Sequence, residues 1–272
     1  INMKKITFFT AAMVSAMTTG MATTFTSCTE ANNLKSSIKA QIDDDVADDG
    51  VIVTQDRKVK NFTSVRIEGS PTVRYVQGNK FEVKVKGKKE LVDKIKTEVK
   101  GKSLVVSVKG NISFSFFKNN RKHMPVIYVT SPDLVGVELA GSGDFISDGP
   151  IDTDRLVVKM AGSGDVDFNG NVICDDLRVE LNGSGDVDLK NVDALTSSLK
   201  LIGSGDIDVK QKNVERTNIQ LIGSGDIKVE FDKCRDVESN IAGSGDVTLK
   251  GNITGRIDKS KAGSGDYTID LH

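Results

Sequence analysis

The chain has 272 residues, 38% of them hydrophobic, enough to build a packed core in one or two domains. Only 5% are aromatic, there is no Trp, and 26 Gly stand against 4 Pro, which suits thin stacked layers of aliphatic side chains better than a bulky globular core. The formal net charge is −1, and the only histidines, His123 and His272, sit in no nucleophile or metal motif, so histidine-dependent catalysis finds no support.

Met3, Lys4 and Lys5 precede an apolar run from Ile6 to about Met17, followed by small and hydroxyl residues up to Cys28, the pattern of a secretory signal. Thr18, Thr19, Gly20, Thr23 and Thr24 interrupt the segment before it reaches the ~20 apolar residues of a spanning helix. Phe25-Thr26-Ser27-Cys28 resembles a bacterial lipobox, in which the Cys becomes the lipid-carrying first residue of the mature protein. Ser27 fits that pattern, whereas Phe25 stands where Leu is more usual. The alternative is an incidental Cys in a signal that is cut off. Residues 1–28 are therefore expected to be a lipoprotein-type signal peptide ending at Cys28. Residues 29–56, with Asp43, Asp44, Asp45, Asp48 and Asp49 and few large apolar groups, are expected to be a flexible acidic tether.

Residues 57–272 are expected to form one all-β domain. Its irregular N-terminal part, 57–135, holds strand-like segments around Val65, Val73, Val83, Leu104 and Ile127. Leu91, Ile95 and Val99 suggest one short helix, and Glu68-Gly69-Ser70-Pro71 is a worn copy of the turn found further on. The run Ile112-Ser113-Phe114-Ser115-Phe116-Phe117 reads as a buried strand, or as an exposed loop that touches a partner or lipid.

The regular part, 136–272, carries Gly-Ser-Gly-Asp seven times, starting at Gly141, Gly162, Gly183, Gly203, Gly223, Gly243 and Gly263, at spacings of 21, 21, 20, 20, 20 and 20. Apolar residues alternate on both sides of each motif, as in Val179 and Leu181 before it and Val187 and Leu189 after it. Period two means strands. The repeat is too short for a four-stranded propeller blade. Equivalent positions carry like residues, which in-register stacking at ~4.8 Å per rung would produce. The reading favoured over a meander is a parallel β-helix (β-solenoid) with ~20-residue rungs, about 30 Å long over seven rungs. Lys259 and Lys261 replace inward apolar residues in the last repeat, and with Leu271 and His272 they read as an end cap.

This arrangement resembles the family known as "putative auto-transporter adhesin, head GIN domain", found among Bacteroides-type bacteria. The resemblance rests on Phe62-Thr63-Ser64-Val65 leading to Gly69-Ser70, on Pro125-Val126-Ile127-Tyr128-Val129, on Ser131-Pro132-Asp133-Leu134, and on the Gly-Ser-Gly-Asp ladder. It implies a right-handed β-helix on an exported protein with an adhesin role, and it brings no catalytic residues.

Asp144, Asp165, Asp186, Asp206, Asp226, Asp246 and Asp266 form one predicted column, and Asp167, Asp188 and Asp208 a second. Carboxylates ~5 Å apart in water repel by about 0.9 kcal/mol per pair, so something must offset the column. Calcium is one answer. The other is that each Asp accepts bonds from backbone N–H groups of the Gly-Ser-Gly turn, making these residues fold-defining; this is preferred, because one acid per turn is a poor cage. No cofactor or metal is expected. Cys174 and Cys234 share an angular position three rungs, ~14 Å, apart, too far for a disulfide, so two unpaired thiols are expected.

Lys and Arg exceed Asp and Glu by 18 to 5 over residues 57–122, whereas acids exceed bases by 26 to 15 over residues 123–272. The near-neutral total hides a dipole, which suits an anionic glycan, an acidic partner surface or simply solvated strand faces. Export and the lack of an aromatic platform speak against nucleic acid. The function expected is a non-enzymatic cell-envelope lipoprotein of the outer membrane, on its periplasmic or surface face, binding a surface glycan or protein. The alternatives are a self-associating structural envelope protein, forming homo-oligomers, and a glycan-degrading β-helix enzyme.

Overall fold

In a computed structural model, residues 51–109 and 124–272 are described. The signal segment with Cys28, the tether up to residue 50 and the Phe-rich run from Ile112 to Phe117 lie outside the described residues. The N-terminal part contains β1 (Ile52–Asp56), β2 (Ser64–Gly69), β3 (Thr72–Gln77), β4 (Glu82–Lys88), the helix α1 (Lys89–Val92), β5 (Ile95–Lys100), β6 (Ser103–Val108) and β7 (Val126–Ser131). The repeats supply β8 (Gly136–Gly141), β9 (Asp144–Ser147), β10 (Ile151–Asp152), β11 (Arg155–Gly162), β12 (Val166–Gly183), β13 (Val187–Gly203) and β14 (Ile207–Lys212). They continue with β15 (Arg216–Gly223), β16 (Ile227–Cys234), β17 (Asp236–Gly243), β18 (Val247–Ile253), β19 (Ile257–Gly263) and β20 (Tyr267–Leu271).

Every repeat pairs in parallel with the repeat before it, in register around the motif, Val158 with Val179, Leu181 with Leu201, Leu201 with Leu221, and each leading Gly of the motif with the next, while the register shifts between Phe168 and Asn171, Leu189 and Val192, and Phe231 and Cys234. The rungs therefore stack as a β-solenoid. A rung has two sides. The side leading up to the motif continues through β5, β6, β2, β8, β11, the second half of β12, the second half of β13, β15, β17 and β19. The side leaving the motif runs through β1, β4, β7, β3, β9, the first half of β12, the first half of β13, β14, β16, β18 and β20. Inward positions form columns of like residues, such as Val158, Val179, Leu199 and Ile219, all fully buried. Each such side chain contributes roughly 1.5–3 kcal/mol relative to exposure.

Glu68-Gly69-Ser70-Pro71 is indeed a turn of the column. Gly69 pairs with Gly141, Thr72 pairs with Asp144, and the Ser142 amide donates to the Gly69 carbonyl at 2.9 Å. Beyond this rung the parallel order ends. β4 runs antiparallel to β7, β1 antiparallel to β4, and β5 antiparallel to β6. Two expectations change here. The last five residues assigned to the tether are the strand β1, whose Val53 packs against the core, so the domain begins before Arg57. The helix is only the four residues of α1, and Ile95 and Val99 belong to β5, joined to β6 by the two-residue turn Gly101-Lys102, where Gly101 has φ +62°.

The opposite end is closed differently. Lys259 pairs with Ser239, and its ammonium lies 5.4 Å from the centre of the Tyr267 ring; Lys261 pairs with Ile241 and binds Asp266 at 2.9 Å. Charges at inward positions on the last strand oppose edge-to-edge addition. The Tyr267 hydroxyl lies 2.9 Å from the carbonyls of both Ser239 and Ser260, tying the final rung to the one before it.

Candidate functional site

The motif Gly-Ser-Gly-Asp turns the chain from one side of the rung to the other. Its leading Gly adopts φ between +129° and +149° in all seven copies. The carbonyl of the stacked Gly below sits where a Cβ would be, as in Gly162, whose Cβ would lie 1.9 Å from the Gly141 oxygen. The second Gly is fixed by the same approach: at Gly164 a Cβ would meet the Gly143 oxygen at 1.8 Å. The Ser amides hold the stack together, for example Ser184 to the Gly162 carbonyl at 2.9 Å.

The seven aspartates do form one column, but their bonds run between rungs. The amide of Asp186 donates to the Asp165 carboxylate at 3.3 Å, Asp206 to Asp186 at 3.0 Å, Asp226 to Asp206 at 3.0 Å, Asp246 to Asp226 at 2.8 Å and Asp266 to Asp246 at 2.7 Å. At the start of the series Asp144 accepts instead from the Thr72 hydroxyl at 3.1 Å, and at its end Asp266 binds Lys261. The carboxylate thus replaces a ladder carbonyl for an amide that the tight turn takes out of the sheet. Hydrogen bonds to a charged acceptor contribute more than neutral ones and offset the repulsion along the column.

Among the described residues no group of three or more His, Cys, Asp or Glu is placed to hold a metal ion. Asp206→Asn keeps an acceptor for the Asp226 amide and removes a charge, so its melting temperature should stay within about 2 °C of wild type. Asp206→Ala leaves that amide to water and should cost about 1 kcal/mol. Neither melting curve should respond to calcium or to a chelator, as thermal denaturation with and without each will show.

The second column behaves differently. Asp167 and Asp188 are half-buried, and both carboxyls are pushed above the usual aspartate range, first by burial and then by the next acid in the column, Asp188 for Asp167 and Asp208 for Asp188. Lys228 follows Asp208 in the column and binds it at 2.5 Å, which ends the acidic run. A folded-state value raised above the unfolded one means that ionisation costs stability. The protein should therefore gain stability as pH falls from neutral through the raised values towards the ordinary aspartate value, with no further gain from these two groups below it. Asp188→Asn should raise the melting temperature by roughly 1–3 °C at pH 7 and lose that advantage near pH 3, in a pH series of melting curves.

The second column belongs to a continuous outward row across the motif-leaving side. Register places Asp56, Lys84, Tyr128, Arg74, Ile146, Asp167, Asp188 and Asp208 side by side, one per strand. Arg74 binds Asp148 at 2.7 Å, and both lie near the half-buried Tyr128, whose hydroxyl pKa is raised chiefly by burial. The sequence marked the charge imbalance but not this row, because Lys84 and Tyr128 meet only through the antiparallel pairing of β4 with β7. Cys174 and Cys234 are buried and unpaired; burial pushes the Cys174 thiol up to about 12 and raises that of Cys234, so neither is poised as a nucleophile.

The geometry defines a class: a two-sided β-solenoid whose repeated acids serve the scaffold and whose outer sheet faces are broad. The chain belongs to the family described as "Putative auto-transporter adhesin, head GIN domain", whose sequence profile matches residues 61–253. Among solved structures it is similar to a "putative adhesin" from Bacteroides fragilis, with 26% identity, 80% of this chain and 97% of that one covered, and a TM-score of 0.70. It is also similar to a "putative lipid binding protein" from Parabacteroides distasonis, with 29% identity, coverage of 82% and 98%, and a TM-score of 0.64. A "putative adhesin" from Parabacteroides merdae shares the fold at 16% identity, coverage of 84% and 98%, and a TM-score of 0.67. No functionally curated protein matches the chain.

Proposed function

We propose that the chain is a non-enzymatic, adhesin-type binding module of the cell envelope, held in the outer membrane by a lipid on Cys28 and presenting the outer faces of its solenoid to a surface glycan or protein. The adhesin family and the Bacteroides fragilis neighbour support the coarse reading. The observation that carries it is the use of the acids: the carboxylates from Asp165 to Asp246 each accept the next rung's amide, so the most abundant candidate catalytic groups are engaged in the scaffold and repeat on every rung alike. What the molecule offers is a long, rigid, exposed sheet.

The Parabacteroides distasonis neighbour is described as lipid-binding. In this chain the inward positions are taken by Val, Ile, Leu and Phe packed against one another, so a lipid ligand would have to lie on the outside. The experiment is cell fractionation with protease shaving of intact cells. Wild type should pellet with the outer membrane and release a protease-resistant solenoid on shaving, whereas Cys28→Ser should move the chain to the soluble fraction. An identical distribution of the two would sink the anchoring.

A further inference from the structure

The outward row on the motif-leaving side changes sign along the solenoid. β4 turns Lys84, Lys86 and Lys88 outward with one acid, Glu82, while β12 and β13, four and five strands further on, with the motif ends that lead into them, turn Asp165, Asp167, Asp186 and Asp188 outward with one base, Lys190. Between the two lies a neutral centre. It holds Tyr128 and Ile146, with Arg74 already neutralised by Asp148. The acidic stretch stops where Lys228 binds Asp208.

We propose that this face is the contact between two copies of the chain, packed face to face about a two-fold axis that runs parallel to the strands between β3 and β9. That operation lays β9 over the partner's β3, β12 over its β7 and β13 over its β4. The acids of β13 then meet the lysines of β4 twice, once in each direction, while Ile146 packs on the stem of the partner's Arg74 and Tyr128 lies over the partner's Asp167, its hydroxyl free to donate to that carboxylate. An isologous contact of this kind needs a self-complementary patch, which a face with a basic half, a neutral centre and an acidic half provides. Two twisted sheets pack face to face at about −30° without distortion. Six strands at ~4.8 Å carrying three outward rows at ~6.8 Å cover about 600 Å² per copy, or about 1,200 Å² in the pair, the lower end of stable interfaces.

The operation also reverses the solenoid axis, so β1, where the chain enters the domain, lies at opposite ends of the pair. Copies tethered through their N-termini to one surface would then join copies on a facing surface. This deepens the adhesin reading, and rests on it for the surfaces though not for the contact: the ligand of the module is a second copy of itself.

The test is sedimentation velocity on the full chain in detergent at low and high salt, with two charge-reversal variants. Wild type should dimerise at low salt and weaken at least tenfold at high salt. Lys84→Glu sets acid against Asp188 and Asp188→Lys sets lysine against Lys84, so each alone should be monomeric. An equimolar mixture of the two should restore a dimer, because every opposed pair is again of opposite sign. Lys228 already occupies the Asp188 column, so lysine is compatible with that position, and melting curves will verify that both variants fold. A wild type that is monomeric throughout, a dimer indifferent to both variants, or a mixture that stays monomeric overturns the contact. Dimers formed by a chain that fractionation shows to be unanchored would leave the contact standing and remove the envelope reading; monomers of an anchored chain would do the reverse.

Discussion

Gly205→Ala is expected to destabilise the domain by more than about 3 kcal/mol, while Ser204→Ala beside it should change stability by less than about 0.5 kcal/mol. The Cβ added at Gly205 would lie 1.9 Å from the Gly185 carbonyl oxygen, with the Gly185 carbonyl carbon 3.0 Å away. That oxygen is backbone and cannot swing aside like a side chain. Relief requires the two rungs to separate locally, and separation breaks the bonds that hold the turns together, from the Ser204 amide to the Gly183 carbonyl at 2.9 Å and from Asp206 to Asp186 at 3.0 Å. Ser204, in contrast, faces solvent. Urea denaturation of the two variants against wild type measures both effects. A Gly205→Ala protein of wild-type stability would mean that the turns are not stacked in register.

That expectation follows from a part of the fold written openly in the sequence. A motif that recurs every 20 or 21 residues, with period-two apolar flanks, has few ways to satisfy its backbone other than pairing with itself one repeat later. Strand direction, register and the inward set from Val158 to Leu249 could be read off because each rung repeats the solution of the one before. The separation of Cys174 and Cys234 followed from the same register.

The N-terminal part was less legible for a physical reason. Its strands pair across long sequence separations in antiparallel order, as Lys84 with Tyr128 and Val53 with Gly87, and no repeat announces the partner. The spacing of Leu91, Ile95 and Val99 suits a helix, but Lys96, Glu98 and Lys100 alternate with Ile95, Thr97 and Val99, and Gly101-Lys102 supplies the hairpin turn. Period two and a glycine turn won over a four-residue spacing. The aspartate column was placed correctly by spacing alone, yet its bonding partner was not, since only the stacked structure shows that the free amide belongs to the next rung.

Leu201→Ala is expected to cost about 3 kcal/mol, within the 2–5 kcal/mol typical of a buried leucine, and Ile202→Ala less than about 0.5 kcal/mol. Leu201 is fully buried in the inward column between Leu181 and Leu221, whereas Ile202, next in the chain, points outward and is 37% exposed. In a solenoid the neighbours on either side of a truncated residue are fixed by their own rungs. Leu181 and Leu221 cannot close the gap without shifting whole strands out of register, so the cavity persists and most of its cost is felt. The site also lies midway along the repeats, where stability is carried by contacts between successive rungs. Weakening the fourth of seven rungs should therefore loosen the coupling between the halves on either side, and hydrogen exchange should report faster opening from β15 to β20 than from β2 to β11. Ile202→Ala, which leaves every inward contact in place, should show neither the loss of stability nor the asymmetric exchange.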